Sequence, residues 1–120
     1  MSARLLICVS TELECALLKA QAPPWAEVLV TGVGSVNAAH ALTRYLEHRK
    51  PEQIINCGIG GAYPGSGVEL GTAVCADTEC YGDLGAAAPE GFLDMQALGF
   101  PVIAGPPPVY NRIPLHLFPA

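Results

Sequence analysis

Residues 53–61, Gln-Ile-Ile-Asn-Cys-Gly-Ile-Gly-Gly, limit what this chain can fold into more than any other stretch. Gln53 to Asn56 reads as a short buried strand running into a turn that carries Gly58, Gly60 and Gly61. Where glycine leaves no Cβ in the way, backbone can come close to a ligand. The N–H groups of such a turn can point into a pocket and hold an oxygen or a ring edge. The pattern is neither Gly-x-Gly-x-x-Gly opening a helix nor a turn ending in Gly-Lys-Ser/Thr, so the dinucleotide and P-loop mechanisms do not apply. A tight strand-to-loop connection accounts for the same residues.

The chain before this stretch alternates strand and helix signals. Leu5-Leu6-Ile7-Cys8-Val9 is a continuous apolar run, as in a strand covered on both faces. Ser10 or Thr11 then offers an N-cap, and Thr11 with Glu14 has capping-box spacing. Leu13, Leu17 and Leu18 supply an apolar helix face. Glu14 thus stands in the first helical turn just past the carboxyl end of a central strand, where ligands bind in open α/β sheets. The same carboxylate also serves as a plain capping-box partner that suits the helix dipole. Glu27 to Thr31 reads as a second strand, followed by the turn Gly32-Val33-Gly34-Ser35. Ser35 is placed to cap a helix from about Val36 to Arg49, whose apolar stripe includes Ala38, Leu42 and Tyr45. Pro51 stops it.

After the glycine turn, Thr72 to Ala76 reads as a further buried strand that continues into a polar segment through Tyr81 and Asp83. Beyond Gly85 the periodic signals fade, with one helical turn expected between Phe92 and Phe100. Prolines dominate the tail. The order strand, helix, strand, helix, strand, loop, strand predicts an α/β layered domain with a largely buried sheet. Such a small sheet leaves an apolar face uncovered, which points to a fragment or to a chain that needs a partner.

Composition excludes several classes. Apolar residues make up 51% of the 120 residues and charged ones 14%, which argues against disorder. Six basic residues stand against eleven acidic ones without any basic run, so nucleic acid is not an expected partner. The apolar run after Arg4 is too short for a signal-peptide core, and no stretch approaches a membrane span. The five cysteines lack Cys-x-x-Cys spacing, and Cys8, Cys57 and Cys75 fall in apolar runs where buried thiols are common. A reduced, cytoplasmic setting without zinc is the expectation.

Taken together, Glu12-Leu13-Glu14-x-x-Leu17-Leu18, Gly32-Val33-Gly34-Ser35-Val36-Asn37-Ala38-Ala39, Ile54-Ile55-Asn56-Cys57-Gly58-Ile59-Gly60-Gly61-Ala62 and Tyr81-Gly82-Asp83 resemble the N-terminal half of the nucleoside phosphorylase/nucleosidase superfamily. The layout is similar to methylthioadenosine/S-adenosylhomocysteine nucleosidases. Gly58 to Gly67, Tyr81 to Gly85, Gly99-Phe100-Pro101 and Tyr110-Asn111-Arg112 look more like the futalosine hydrolase subfamily.

The resemblance implies a three-layer αβα fold, incomplete here. Residues 1–120 would be the N-terminal part of a single nucleosidase-like domain whose C-terminal half is absent. It implies hydrolysis of the N-glycosidic bond of futalosine, releasing hypoxanthine and dehypoxanthine futalosine in menaquinone biosynthesis, with no cofactor or metal. Glu14 matches the carboxylate that holds the attacking water. Gly58, Ile59, Gly60 and Gly61 match the loop lining ribose and base. Arg112 is placed to pair with a substrate carboxylate, or is an exposed loop arginine. Phe92 and Phe100 are placed at a subunit interface or in an ordinary core. The partners implied are a small purine nucleoside and further copies of the chain, as a dimer or larger. The purine-protonating aspartate and the ribose-binding glutamate belong to the missing half. No Lys or Arg lies between Arg4 and Lys19 or between Lys50 and Arg112, which speaks against phosphate as nucleophile. The alternatives are a methylthioadenosine/S-adenosylhomocysteine nucleosidase, and a non-catalytic truncated product or binding module that associates through an open sheet edge.

Overall fold

A computed structural model describes residues 4–115. The chain divides into two compact units, with the boundary between Glu69 and Leu70.

The first unit is α/β. It contains β1 (Leu5–Val9), α1 (Glu12–Gln21), β2 (Ala26–Val30), α2 (Ser35–His48) and β3 (Gln53–Asn56). The three strands form one parallel sheet in the order β2-β1-β3. Leu5 pairs with Ala26 on one side and with Gln53 on the other, and Cys8 pairs with Leu29 and Asn56. The Leu-Leu-Ile-Cys-Val run is therefore central, as its unbroken hydropathy requires, and Leu6 and Val9 are fully buried. The ladder extends one step past each neighbour: Thr31 N–H donates to the Val9 carbonyl and Cys57 N–H to the Cys8 carbonyl, each at 2.8 Å.

Both crossovers are helical, as parallel pairing demands. Helix α1 starts at the capping box read from the sequence, with Thr11 as N-cap in extended conformation. The helix buries Cys15 and half-buries Leu18, which lie on the same side as Glu14 at helical spacing. Leu13 and Leu17, expected on the packed face, are 84% and 75% exposed. Each stands two residues from Cys15, about 200° around the helix, so Cys15 with Leu18, rather than these two leucines, takes the packed side. Helix α2 begins at Ser35 itself, with Gly34 as the N-cap at φ 93° and no side-chain cap bond. The expectation that Ser35 caps fails because the glycine's positive φ already turns the chain into the helix, so the serine enters the first turn. The far end of α2 is tied to β2: Tyr45 Oη donates to Glu27 Oε2 at 2.9 Å, and Arg49 forms an ion pair with Glu27 Oε1.

Strand β3 forms at the expected residues but is not buried. All four of its residues are exposed, Ile54 and Ile55 by 44% and 49%. It is an edge strand bonded on one side, and among the described residues nothing covers its faces. Cys57 and Cys75 are likewise exposed, against expectation, whereas Cys8 and Cys15 are buried.

The second unit is antiparallel. It contains β4 (Thr78–Cys80), β5 (Gly85–Ala88), β6 (Gly91–Asp94), the single-turn α3 (Met95–Leu98) and β7 (Arg112–Pro114). The strand expected at residues 72–76 does not form, and those residues are exposed without regular structure. An isolated apolar run has no partner for its backbone groups. Pairing starts only at Thr78, where β7 supplies it, from Thr78↔Pro114 to Cys80↔Arg112. The β5–β6 hairpin lies where sequence signals fade; Ala-rich β5 has no periodic contrast to read. Gly85 is required there, because a Cβ would stand 2.3 Å from the Leu93 carbonyl and 2.5 Å from the Phe92 ring. The helical turn expected between Phe92 and Phe100 is α3, capped by Asp94 and closed by Gly99 in the left-handed region. Among the described residues no helix is long and apolar enough to cross a membrane.

Candidate functional site

The strand order β2-β1-β3 makes the chain cross from one side of β1 to the other. The carboxyl ends of β1 and β3 therefore diverge at a topological switch point, the place where open α/β sheets bind ligands. Two segments of the first unit arrive there. The capped start of α1 follows β1, and the Gly58–Gly61 loop follows β3.

Glu14 joins them. Its Oε2 accepts from the Thr11 hydroxyl at 2.8 Å and from the Thr11 N–H at 3.0 Å. The Thr11 oxygen in turn accepts from the Glu14 N–H at 3.3 Å, completing the box. The other oxygen, Oε1, accepts from the Ile59 N–H at 3.1 Å, across 45 residues of sequence. The carboxylate thus caps its own helix and also reaches the glycine loop. The Thr11 hydroxyl first, then the Ile59 N–H, hold this carboxyl below the usual carboxylate range, against the opposing effect of partial burial. The group is ionised at neutral pH.

Gly58 makes the contact possible. A Cβ at residue 58 would lie 2.9 Å from Glu14 Oε1, closer than real contacts allow. Gly60 and Gly61 face open space, with nothing within 4 Å of a built Cβ. Ile59 is 83% exposed, so its side chain leaves the site and its backbone N–H enters it. Gly58→Ala is expected to push the carboxylate away by about half an ångström, since 2.9 Å must open to the ordinary 3.4 Å. The neighbour that yields is the end of a flexible side chain, so stability changes by less than about 1 kcal/mol. Loss of the Ile59–Glu14 hydrogen bond by NMR, with an unchanged melting curve, checks the geometry.

Arg112 belongs to the second unit. It lines an open cleft of about 300 Å³ there with Tyr81, Phe92, Asp94, Gln96 and Tyr110. Phe92 and Phe100 are 54% and 64% exposed, so neither is in an ordinary core in this chain. Asp83 is exposed in a bend. The residue that organises this unit is Asn111, quoted in the sequence only as part of a motif. It is 7% exposed. Its Nδ2 donates to the Tyr81 and Leu84 carbonyls at 2.8 and 2.7 Å, and its Oδ1 accepts from the Met95 N–H at 2.7 Å. An asparagine in a proline-rich tail gives no periodic signal; its role depends on segments up to 30 residues away.

Comparison with known proteins identifies the family. The profile of the phosphorylase superfamily matches residues 27–113. The chain is 44% identical over 88 residues to a futalosine hydrolase of Thermus thermophilus, a match covering 72% of this chain and 36% of that protein. It is 38% identical over 90 residues to a futalosine hydrolase of Acidothermus cellulolyticus, covering 73% of this chain and 36% of that protein. It is 40% identical over 57 residues to a 5'-methylthioadenosine/S-adenosylhomocysteine nucleosidase of Listeria innocua, covering 48% of this chain and 24% of that protein. The chain thus spans about a third of the length of the curated relatives it matches. No solved structure matches it. With the family profile covering the second strand, the glycine loop and the Asn111-Arg112 segment, the chain belongs to the phosphorylase superfamily.

Proposed function

We propose that this chain is the N-terminal part of a purine nucleosidase that hydrolyses futalosine, releasing hypoxanthine, and that Glu14 holds the attacking water. The observation that carries the reading is the Glu14–Ile59 hydrogen bond, which sets an ionised carboxylate against the glycine loop at the switch point. Each carboxylate oxygen has about two acceptor sites. Thr11 takes Oε2, and Oε1 keeps room beside the Ile59 N–H for the O–H of a water. The water oxygen bonds to the anomeric carbon as the C–N bond breaks and its electron pair leaves with the purine. The water's proton passes to Glu14, and the purine is protonated by an acid supplied outside this chain. A carboxylate held below its usual range is a weak base toward free water. It is well suited to stabilising a cationic sugar, beside which the attacking water becomes acidic.

Phosphate is a poor fit as nucleophile. The anionic Glu14 repels it, and the hydrogen bonds to Glu14 come from uncharged donors of Thr11 and Ile59 rather than from cations. Within the same reading, the exposed Gly58–Gly61 backbone lines ribose and base; in the second unit taken by itself, Arg112 lines an aromatic cleft where its guanidinium is available to a carboxylate. The enzyme would be cytoplasmic and assemble as a dimer or larger, using exposed apolar residues such as Leu13 and Leu17.

The likeness to the Listeria protein supports methylthioadenosine/S-adenosylhomocysteine as a second substrate reading. A chimera carrying residues 1–115 of this chain on the C-terminal remainder of the Thermus futalosine hydrolase tests both. Hypoxanthine release from futalosine without added phosphate is expected. Faster adenine release from methylthioadenosine would replace the first reading by the second, and strict dependence on phosphate would end the hydrolytic one.

A further inference from the structure

We infer that Thr11 is a positioning residue for Glu14: its hydroxyl and N–H, both on Oε2, fix the carboxylate so that Oε1 faces the Ile59 N–H and the glycine loop. The inference rests on the proposed role of Glu14 and deepens it. A glutamate side chain has three rotatable bonds and, in a first helical turn, would ordinarily sample solvent. Here Oε2 is held by two donors of one residue at 2.8 and 3.0 Å, while the same Thr11 oxygen accepts from the Glu14 N–H. The side chain is thereby folded back along the helix start, and its second oxygen is the one delivered 45 residues away in sequence. The helix cap and the site are one structure, so the cost of ordering the carboxylate is met when α1 forms rather than when substrate binds. The donors around Glu14 are the Thr11 hydroxyl and N–H, the Ser10 backbone and the Ile59 N–H. Its charge is thus stabilised by neutral groups. Of the charged residues on its own helix, Glu12 is paired with Lys19.

Thr11→Gly and Thr11→Ser separate positioning from capping, because glycine and serine both start helices well and only serine keeps the hydroxyl. The carboxyl carbon of Glu14 is followed by NMR through an acid titration of each variant of this chain, with helix content checked by circular dichroism. In Thr11→Ser the titration is expected to match the parent. In Thr11→Gly it should move up toward the ordinary carboxylate range, and the Ile59 amide should lose its hydrogen-bond shift. In the chimera, Thr11→Gly is expected to lower kcat about tenfold with little change in KM, and Thr11→Ser to restore it. An unchanged Glu14 titration in Thr11→Gly, with α1 intact, overturns the inference whatever the activity does. If the titration moves and Thr11→Ser restores it, but removing the Glu14 charge leaves base release unchanged, Thr11 does orient the carboxylate and the role given to Glu14 is what fails.

Discussion

Glu14→Gln in the futalosine-cleaving chimera is expected to lower kcat/KM by about 10³-fold, within the usual range for removing a positioned acid–base group. Glutamine has the same shape, so α1 should remain. The amide carries one oxygen and one NH2 group, and only the oxygen can accept. Either the Ile59 N–H or the two Thr11 donors must then face another donor, so one side of the link between helix start and glycine loop breaks. In the proposed mechanism the negative charge beside the cationic sugar is lost as well. A variant that keeps more than a third of the parent rate would show that Glu14 only caps its helix.

The same substitution has a pH signature. The carboxyl is held below its ordinary value of 4.5 in the folded chain. A lowered folded value means the ionised group favours the folded state. Its contribution is complete above the ordinary value and is lost as pH falls through the folded value. Parent and Glu14→Gln should therefore differ in stability by a constant amount near neutrality, and the gap should close on acidification below 4.5. Denaturant midpoints taken at several acid pH values read this directly. A gap that widens on acidification would contradict the assigned direction.

Asn111→Leu is expected to destabilise the second unit by roughly 3 kcal/mol, the sum of about 1 kcal/mol for each of three lost hydrogen bonds. Leucine nearly matches asparagine in shape, so the cost is not a cavity. It strands the Tyr81 and Leu84 carbonyls and the Met95 N–H against an apolar side chain. These groups belong to the segment after β4, the loop before β5 and the start of α3, and Asn111 is 7% exposed, so water cannot readily replace it. Loss of hydrogen-exchange protection at the Met95 amide, with a lower denaturant midpoint for β4 and β7, is the expected result. A shift below about 1 kcal/mol would mean the three groups find other partners.

The first unit was largely legible in the sequence because its signals are local. An apolar run names β1, Thr11 with Glu14 names the start of α1, and a glycine turn ends β3. The departures there follow from packing: Cys15 takes the buried face that the leucines were expected to fill, and β3 stays exposed as an edge. The second unit was hardly legible. The apolar run 72–76 looks like a strand but lacks a partner, while Thr78–Cys80 pairs with a segment more than 30 residues on. Pairing of that kind depends on the rest of the fold, and no window of neighbouring residues carries it.

The sequence by itself determined the α/β alternation of the first unit, the capped helix that carries Glu14 and the glycine loop that follows β3. It left open whether Glu14 is a cap or part of a site. Tertiary structure decided that the carboxylate also reaches the glycine loop, by the order β2-β1-β3. Placing β3 beside β1 brings the Ile59 N–H within 3.1 Å of the carboxylate, and the missing Cβ of Gly58 leaves room for it. The physical reason is that a capping box is satisfied within four consecutive residues, whereas the second oxygen's partner exists only once two parallel strands have fixed both loops at the same end of the sheet.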